Sequence, residues 1–199
     1  MSWLLWTLIA FAAGSIPFSL LVGRWALNLD IRAVGDRNPG ATNVIRAGGW
    51  RWGALALLLD YLKGALPVGI AWFLAGVQGW LIAPVALAPV AGHAFSPWLG
   101  WRGGKAVAAT FGIWSGLTLG YVPTILGLML GIGVQIFTAS GWAVIFAMVT
   151  LGVHLVIFNP DPVLLAVWVG NLGILVWKHR QELRYTPEMK PGLFRREAA

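Results

Sequence analysis

The chain has 199 residues and a net charge of +7, but only 11% of its residues are charged and 58% are hydrophobic. Soluble domains carry roughly 25% charged residues, so this composition predicts an integral membrane protein. The absence of cysteine excludes disulfides and a thioester enzyme intermediate. The 13 tryptophans favour membrane interfaces, and no basic helix or soluble module is left over for binding nucleic acid.

Seven apolar runs predict an all-α protein with about seven transmembrane helices, since each crossing needs about 20 residues unless the helix is short. In chain order the runs are about Ser2–Trp25, Trp52–Ala75, Trp80–Leu99, Ala106–Leu119, Tyr121–Phe137, Trp142–Phe158 and Val163–Trp177. Gly14, Ser15 and Pro17 interrupt the first run. We expect residues 1–199 to form a single membrane domain with a short basic tail from about Lys178.

The loops that contain lysine or arginine all fall on one side of this arrangement. Lysine and arginine lie in the loops after the first and third runs and in the tail, which includes Arg195 and Arg196, whereas the loops at 76–79, 119–121 and 159–162 have none. The positive-inside rule places the basic loops in the cytoplasm, which leaves the N-terminus outside and the C-terminus cytoplasmic. Three polar segments are therefore expected at one membrane face.

The first polar segment, Gly35–Gly49, reads GDRNPGATNVIRAGG. Glycines allow backbone N–H groups to converge on an anion, and asparagine, threonine and arginine side chains add donors suited to phosphate. The candidate ligands are Asn38, Gly40, Thr42, Asn43 and Arg46. The alternative interpretation is a solvated turn between two helices.

The second polar segment, Gly92–Thr110, contains Gly103, Gly104 and Lys105 where a helix is expected to begin, with His93 and Ser96 shortly before. A helix N-terminus preceded by glycines, with a lysine, suits a phosphate. The segment is not a Walker A loop, because Leu99 and Ala106 occupy the first and last positions of that motif. Alternatively, Lys105 is an anchor at the end of a helix.

The third polar segment is Trp177–Arg184, in which His179 and Arg180 follow the last apolar run; such basic clusters often only set topology. Within the second run, Asp60 and Lys63 are three residues apart on one helical face, which predicts a structural ion pair. No cluster rich in histidine or carboxylate indicates a metal, and no His-x4-Asp motif is present. Together the three segments predict an anionic, phosphorylated substrate near the bilayer.

These segments resemble the bacterial acyl-phosphate:glycerol-3-phosphate acyltransferases, the PlsY family. The resemblance rests on GSIPFSLLVGR (14–24), DIRAVGDRNPGATNVIRAGG (30–49), LLDYLKG (58–64), GHAFSPWLGWRGGKAVAAT (92–110) and KHR (178–180). It implies a multi-pass protein of the bacterial inner membrane with its active site facing the cytoplasm. It also implies transfer of a fatty acyl group from acyl-phosphate to the sn-1 hydroxyl of glycerol-3-phosphate, without metal or cofactor, giving lysophosphatidic acid for phospholipid synthesis.

Under this resemblance we assign Asn38, Gly40, Thr42, Asn43 and Arg46 to one phosphate, and Gly103, Gly104 and Lys105, with Ser96 and His93 nearby, to the other. Lys105 and Arg46 are expected to stabilise the charge that develops during transfer, and Arg180 is expected to bind phosphate. The proton acceptor is His179, His93 or the substrate's own phosphate. A further hypothesis makes Asp36, which stands where the family usually has serine, the base.

The chain departs from the family pattern at three places. Asp36 and Arg37 replace a serine and a glycine in the first motif, and Glu182 replaces an asparagine in the last one. A threonine-arginine-tyrosine-valine-serine segment, usual after the fifth span, is represented here only by residues 138–141. These departures motivate an alternative function, that of a divergent paralogue that binds or transports a phosphorylated lipid or polyol without acyl transfer.

Overall fold

The computed structural model describes residues 2–191, and the regular elements of this part of the chain are helices, apart from a single antiparallel β-bridge between Phe137 and Met189. The helices are α1 Trp3–Ser15, α2 Phe18–Leu27, α3 Ala41–Gly69, α4 Ile82–Ala94, α5 Val107–Thr118, α6 Tyr121–Ile136, α7 Ser140–Phe158 and α8 Pro162–His179. Short 3₁₀ turns lie at Ile31–Ala33, Gly79–Leu81, Pro97–Leu99 and Glu182–Arg184, and α3 continues into a π-helical turn, Ile70–Leu74. Arg195 and Arg196 of the tail lie outside the described residues.

Five segments of the described chain are long and apolar enough to cross a membrane: Trp3–Leu27, Ala41–Leu74, Gly79–Leu99, Ser140–Phe158 and Pro162–His179. Helices α5 and α6 are apolar but shorter. The 12 residues of α5 extend about 18 Å, less than the roughly 30 Å of a hydrocarbon core. Each of the seven predicted runs overlaps one of the five long segments or one of the two shorter helices. The number of membrane crossings and their orientation stay predictions.

The stretch between the first two predicted apolar runs, which contains the first polar segment, is not a continuous loop. Helix α3 begins at Ala41, because Asn43 N and Val44 N donate to Gly40 O at 3.0 and 3.4 Å. The helix bends at Gly49, whose φ of 79° suits glycine and strains other residues. Gly48 and Gly49, which suggested a loop, therefore lie at a bend within a helix, whereas Gly35 and Gly40 precede the helix.

The described residues divide into two compact units, with the boundary between Pro123 and Thr124. In the first unit, helices pack closely where glycine removes the side chain. A methyl group on Gly14 of α1 would overlap the backbone of Pro89 in α4, and one on Gly112 of α5 would overlap Tyr61 O in α3. Small residues let the backbones of membrane helices approach in this way. The first apolar run breaks between Ser15 and Phe18, as its glycine, serine and proline predict.

In the second unit, α7 packs on α8, and Trp168 Nε1 donates to Met148 O at 2.7 Å. Asp161 caps α8 by accepting from the backbone N–H groups of residues 163 and 164, at 2.7 and 3.2 Å. After α8 the chain returns along the start of α7, and Trp142 Nε1 donates to Tyr185 O at 3.1 Å. This returning segment fixes the residues that follow His179.

Candidate functional site

The first and second polar segments meet at an ion pair. Lys105 Nζ lies 2.8 Å from Asp36 Oδ2, although the two residues are 69 positions apart in sequence. Asp36 Oδ1 also accepts from Asn43 Nδ2 at 2.9 Å and from the backbone N–H of Asn38 at 3.2 Å. The carboxylate of Asp36 thus lies at a point where three donors from both segments converge.

Asn43 holds the first segment in shape. Its side chain is buried, and Nδ2 also donates to Asn38 O at 2.9 Å while Oδ1 accepts from Arg46 Nη1 at 3.1 Å. Gly35 has a φ of 57°, and a methyl group there would overlap the Arg46 guanidinium. Arg46 is exposed one turn into α3, so its charge faces the same loop as Asp36.

Gly103 and Gly104 lie directly against His93, at the end of α4. Gly104 N donates to His93 O at 3.1 Å. A methyl group on Gly103 would overlap His93 O, and one on Gly104 would overlap the imidazole at Nε2. Ala106 follows with a φ of 64° and precedes α5. Tight packing of these glycines on His93 therefore sets the point from which the Lys105 side chain extends.

His93 and Ser96 are themselves anchored in the helices beneath. Ser96 Oγ donates to Ser15 O at 2.6 Å, and both groups are buried. His93 Nδ1 lies 3.7 Å from Asp60 Oδ1. Asp60 is paired with Lys63 at 2.7 Å, as their spacing predicts.

Two further contacts join this buried pair to the first turn of α2 and to the break between α1 and α2. Ser19 Oγ donates to Asp60 Oδ2 at 2.5 Å, and Lys63 Nζ donates to Ile16 O at 2.7 Å. The side chains of Asp60 and Lys63 are only 3% and 2% exposed. Through His93, this pair on α3 links the Gly103–Lys105 loop to the first turn of α2 and to the residue that follows α1.

The electrostatics of Asp36 are those of a stable anion. Burial raises the pKa of this carboxyl, but hydrogen bonds from Lys105, Asn38 and Asn43, together with the charge of Lys105, lower it below the ordinary aspartate value of 3.8. A carboxyl whose pKa is lowered in this way is a poor proton acceptor at neutral pH. These contacts therefore disfavour Asp36 as the base.

The remaining predicted ligands are placed as follows. Thr42 is exposed in the first turn of α3, and Gly40 is buried just before it. In the second unit, His179 is buried at the end of α8, and its Nδ1 lies 2.8 Å from Leu175 O. Arg180 is exposed, with its guanidinium over the Trp177 ring and Nη1 donating to Trp177 O at 2.7 Å.

Glu182 has a structural partner within the second unit. Its Oε2 accepts from Gly141 N at 2.6 Å and from Ser140 Oγ at 3.0 Å. These groups form the first turn of α7, where a negative charge stabilises the helix dipole. The carboxylate that departs from the family pattern therefore caps a helix.

Of the predicted phosphate ligands, the structure brings Asn38, Asn43, Arg46 and Lys105 to one place, with Gly103, Gly104 and His93 directly behind Lys105. The contact of Ser19 with Asp60 and the link from Asp60 to His93 were not predicted from the sequence. The spacing of Asp60 and Lys63 was the signal for the pair, but nothing in the sequence indicated which helices it joins.

Comparison with known proteins places this chain in a family. A family model described as glycerol-3-phosphate acyltransferase matches residues 4–187. Glycerol-3-phosphate acyltransferase 1 of Thermotoga maritima is 37% identical over 88% of this chain and 93% of that protein. The glycerol-3-phosphate acyltransferase of Maridesulfovibrio salexigens is 39% identical over 92% of this chain and 93% of that protein.

Two solved structures share the fold. Both are crystal structures of PlsY (YgiH), an integral membrane glycerol 3-phosphate acyltransferase. The glycerol 3-phosphate form gives a TM-score of 0.83 with 30% identity, and the lysophosphatidic acid form gives 0.81 with 28% identity. Each comparison covers 92% of this chain and 90% of the other. The chain is thus an all-α, multi-pass integral membrane protein.

Proposed function

The chain belongs to the glycerol-3-phosphate acyltransferase family, and on that premise we propose how its own residues carry out the acyl transfer. The acceptor is glycerol-3-phosphate, the product is lysophosphatidic acid, and the donor is an acyl-phosphate. The observation that carries the proposal is the convergence of Lys105, Asn43 and the Asn38 backbone on a single anion. These are the donor types that bind phosphate oxygens.

The reaction requires little covalent chemistry from the protein. The acceptor hydroxyl oxygen forms a bond to the acyl carbon, the bond from that carbon to the phosphate oxygen breaks, and inorganic phosphate leaves. The protein must bring two anions together and stabilise the charge that moves onto the leaving phosphate. Lys105 and Arg46 supply that charge, and Asn38, Asn43, Gly103 and Gly104 supply hydrogen-bond donors and space.

The proton of the acceptor hydroxyl must also be removed. With Asp36 held as a poor base, the candidates that remain are His93, His179 and the substrate's phosphate. The carbonyl oxygen of Leu175 can only accept a hydrogen bond, so the Nδ1 of His179 beside it carries the proton. The neutral ring of His179 then has its lone pair on Nε2. The roles of His179 and Arg180 stay predictions, and pH–rate profiles of His93→Gln and His179→Gln separate the candidates.

The donor and the product are tested with purified protein in lipid, supplied with labelled glycerol-3-phosphate and either palmitoyl-phosphate or palmitoyl-CoA. We expect labelled lysophosphatidic acid from palmitoyl-phosphate and none from palmitoyl-CoA. Product from palmitoyl-CoA alone would contradict the proposed donor. A folded protein that binds glycerol-3-phosphate but forms no product with either donor would instead support the divergent binding or transport protein.

We further propose that the site faces the cytoplasm of a bacterial inner membrane, on the basis of the basic loops. Because the chain has no cysteine, single cysteines can report the orientation. Arg102→Cys lies in a basic loop and Gln78→Cys in an uncharged one. In intact spheroplasts, an impermeant maleimide should label Gln78→Cys only, and permeabilisation should add Arg102→Cys. The reverse pattern would contradict the orientation.

A further inference from the structure

The anion site already contains an anion that belongs to the protein. Asp36 accepts hydrogen bonds from an ammonium, a side-chain amide and a backbone N–H at 2.8, 2.9 and 3.2 Å. The oxygens of a phosphate can accept from these same three donors, because carboxylate and phosphate oxygens both accept from ammonium, amide and backbone N–H groups. The carboxylate of Asp36 therefore occupies the place that the proposed function assigns to a substrate oxygen.

The donors are held in place by contacts that do not involve Asp36. Asn43 is fixed by Asn38 O and Arg46 Nη1. The backbone that carries Lys105 is fixed by the hydrogen bond from Gly104 N to His93 O. Movement of the Asp36 carboxylate would thus leave Asn43 and the Lys105 backbone positioned for another anion.

The ion pair is also exposed enough to exchange. The side chains of Asp36 and Lys105 are 44% and 23% exposed, and pairs that reach solvent to this extent change an equilibrium by only a few fold. The lowered pKa of Asp36 keeps the carboxylate charged at neutral pH. It therefore competes with a substrate phosphate for Lys105 and repels it when both are close.

We propose that Asp36 is a resident anion, which a substrate phosphate displaces from Lys105 and Asn43, so that Asp36 sets the affinity of the site for phosphate. The inference rests on the proposed function, since it concerns the same site. The phosphate that displaces Asp36 is that of glycerol-3-phosphate or that of the acyl-phosphate. Asp36 acts through the availability of the donors and is not itself a catalytic residue.

The test compares the parent protein with Asp36→Asn, which keeps the size of the side chain, and with Asp36→Ser. Binding of glycerol-3-phosphate and of inorganic phosphate is measured by calorimetry in lipid nanodiscs. The KM for each substrate is measured at saturating levels of the other. We expect both variants to lower the Kd or KM for the displacing phosphate by about two- to fivefold while kcat is retained.

Asp30→Asn is the matched control. It makes the same change of charge in the same segment, but Asp30 pairs with Arg24 and Arg32, which are not among the proposed phosphate ligands. This control should leave both KM values unchanged. A lower KM for glycerol-3-phosphate alone would identify the acceptor phosphate as the group that displaces Asp36, and a lower KM for palmitoyl-phosphate alone would identify the donor.

Unchanged or weaker phosphate binding in folded Asp36→Asn, as judged by a cooperative thermal unfolding transition well above the assay temperature, would overturn the inference and make Asp36 a support for Lys105. An equal gain from Asp30→Asn would overturn it too, because the effect would then be one of net charge. The binding experiments also separate this inference from the proposed function. A parent protein that forms no lysophosphatidic acid would refute the function, while the phosphate affinities would still decide the role of Asp36.

Discussion

The buried pair of Asp60 and Lys63 offers the sharpest test of how the fold supports the site. Replacement of Lys63 by methionine removes the charge that lies 2.7 Å from Asp60 Oδ1 and the donor to Ile16 O. Because the side chains are only 2% and 3% exposed, little solvent can compensate. Removal of one partner of a buried pair costs about 3–5 kcal/mol, so we expect Lys63→Met to be strongly destabilised.

For a chain of this size, a loss of 1 kcal/mol lowers the unfolding midpoint by about 2–4 °C, so the expected decrease is roughly 6–20 °C. The assay is thermal unfolding in detergent micelles, followed by the fluorescence of the 13 tryptophans. The double variant Asp60→Asn/Lys63→Met removes the uncompensated charge as well, and should recover more than half of the loss. Arg51→Met, which removes an exposed cation from the same helix, should leave the midpoint unchanged.

This reasoning would be refuted if Lys63→Met unfolded within about 3 °C of the parent, a difference worth about 1 kcal/mol. It would also be refuted if the double variant were no more stable than the single one. Either result would mean that solvent reaches the pair, and that the contacts from Asp60 to Ser19 and His93 do not depend on its charge.

Three further predictions address separate features of the site. Gly104→Ala should lower kcat/KM about 10- to 100-fold, because the new methyl group would overlap His93 and shift the loop that carries Lys105. Gly131→Ala, at an open position in α6, should leave kcat/KM unchanged. Glu182→Gln should lose about 0.5–1 kcal/mol of stability as a weaker helix cap yet keep its rate of product formation; a tenfold loss of rate would indicate contact with substrate. The pKa of Asp36 is lower in the folded protein than its unfolded value of 3.8, so its charge stabilises the fold at any pH above 3.8. The stability difference between the parent and Asp36→Asn, in chemical unfolding, should therefore be constant from about pH 5 to 8 and disappear as the pH falls below 3.8; a difference that grows in acid would contradict the pairing.

The apolar helices could be predicted well from the sequence. A long apolar run bounded by glycine, proline and polar residues has few stable conformations in a membrane other than a helix. Helices α5 to α8 begin and end within two residues of the predicted limits. The start of α3 could not be predicted in this way. Its first turns contain polar side chains and end at Gly49, and these features are also those of a loop.

The ligands within each polar segment could be identified, but not the way in which the segments meet. The contact between Asp36 and Lys105 joins residues 69 apart, and only tertiary packing brings them together. For the same reason the sequence suggested that Asp36 could be a base, whereas its three donors make it a stable anion. Glu182 likewise could not be recognised as the cap of α7 before the returning tail was seen.

The central claim is that Lys105, held at the meeting point of the two glycine-rich segments, supports acyl transfer to glycerol-3-phosphate. The most direct measurement is the rate of lysophosphatidic acid formation from palmitoyl-phosphate by purified parent protein and by Lys105→Ala in the same lipid. The account predicts product from the parent and a loss of at least about 100-fold in the folded variant, as for removal of a group that stabilises transition-state charge. Equal rates from the two proteins would contradict it.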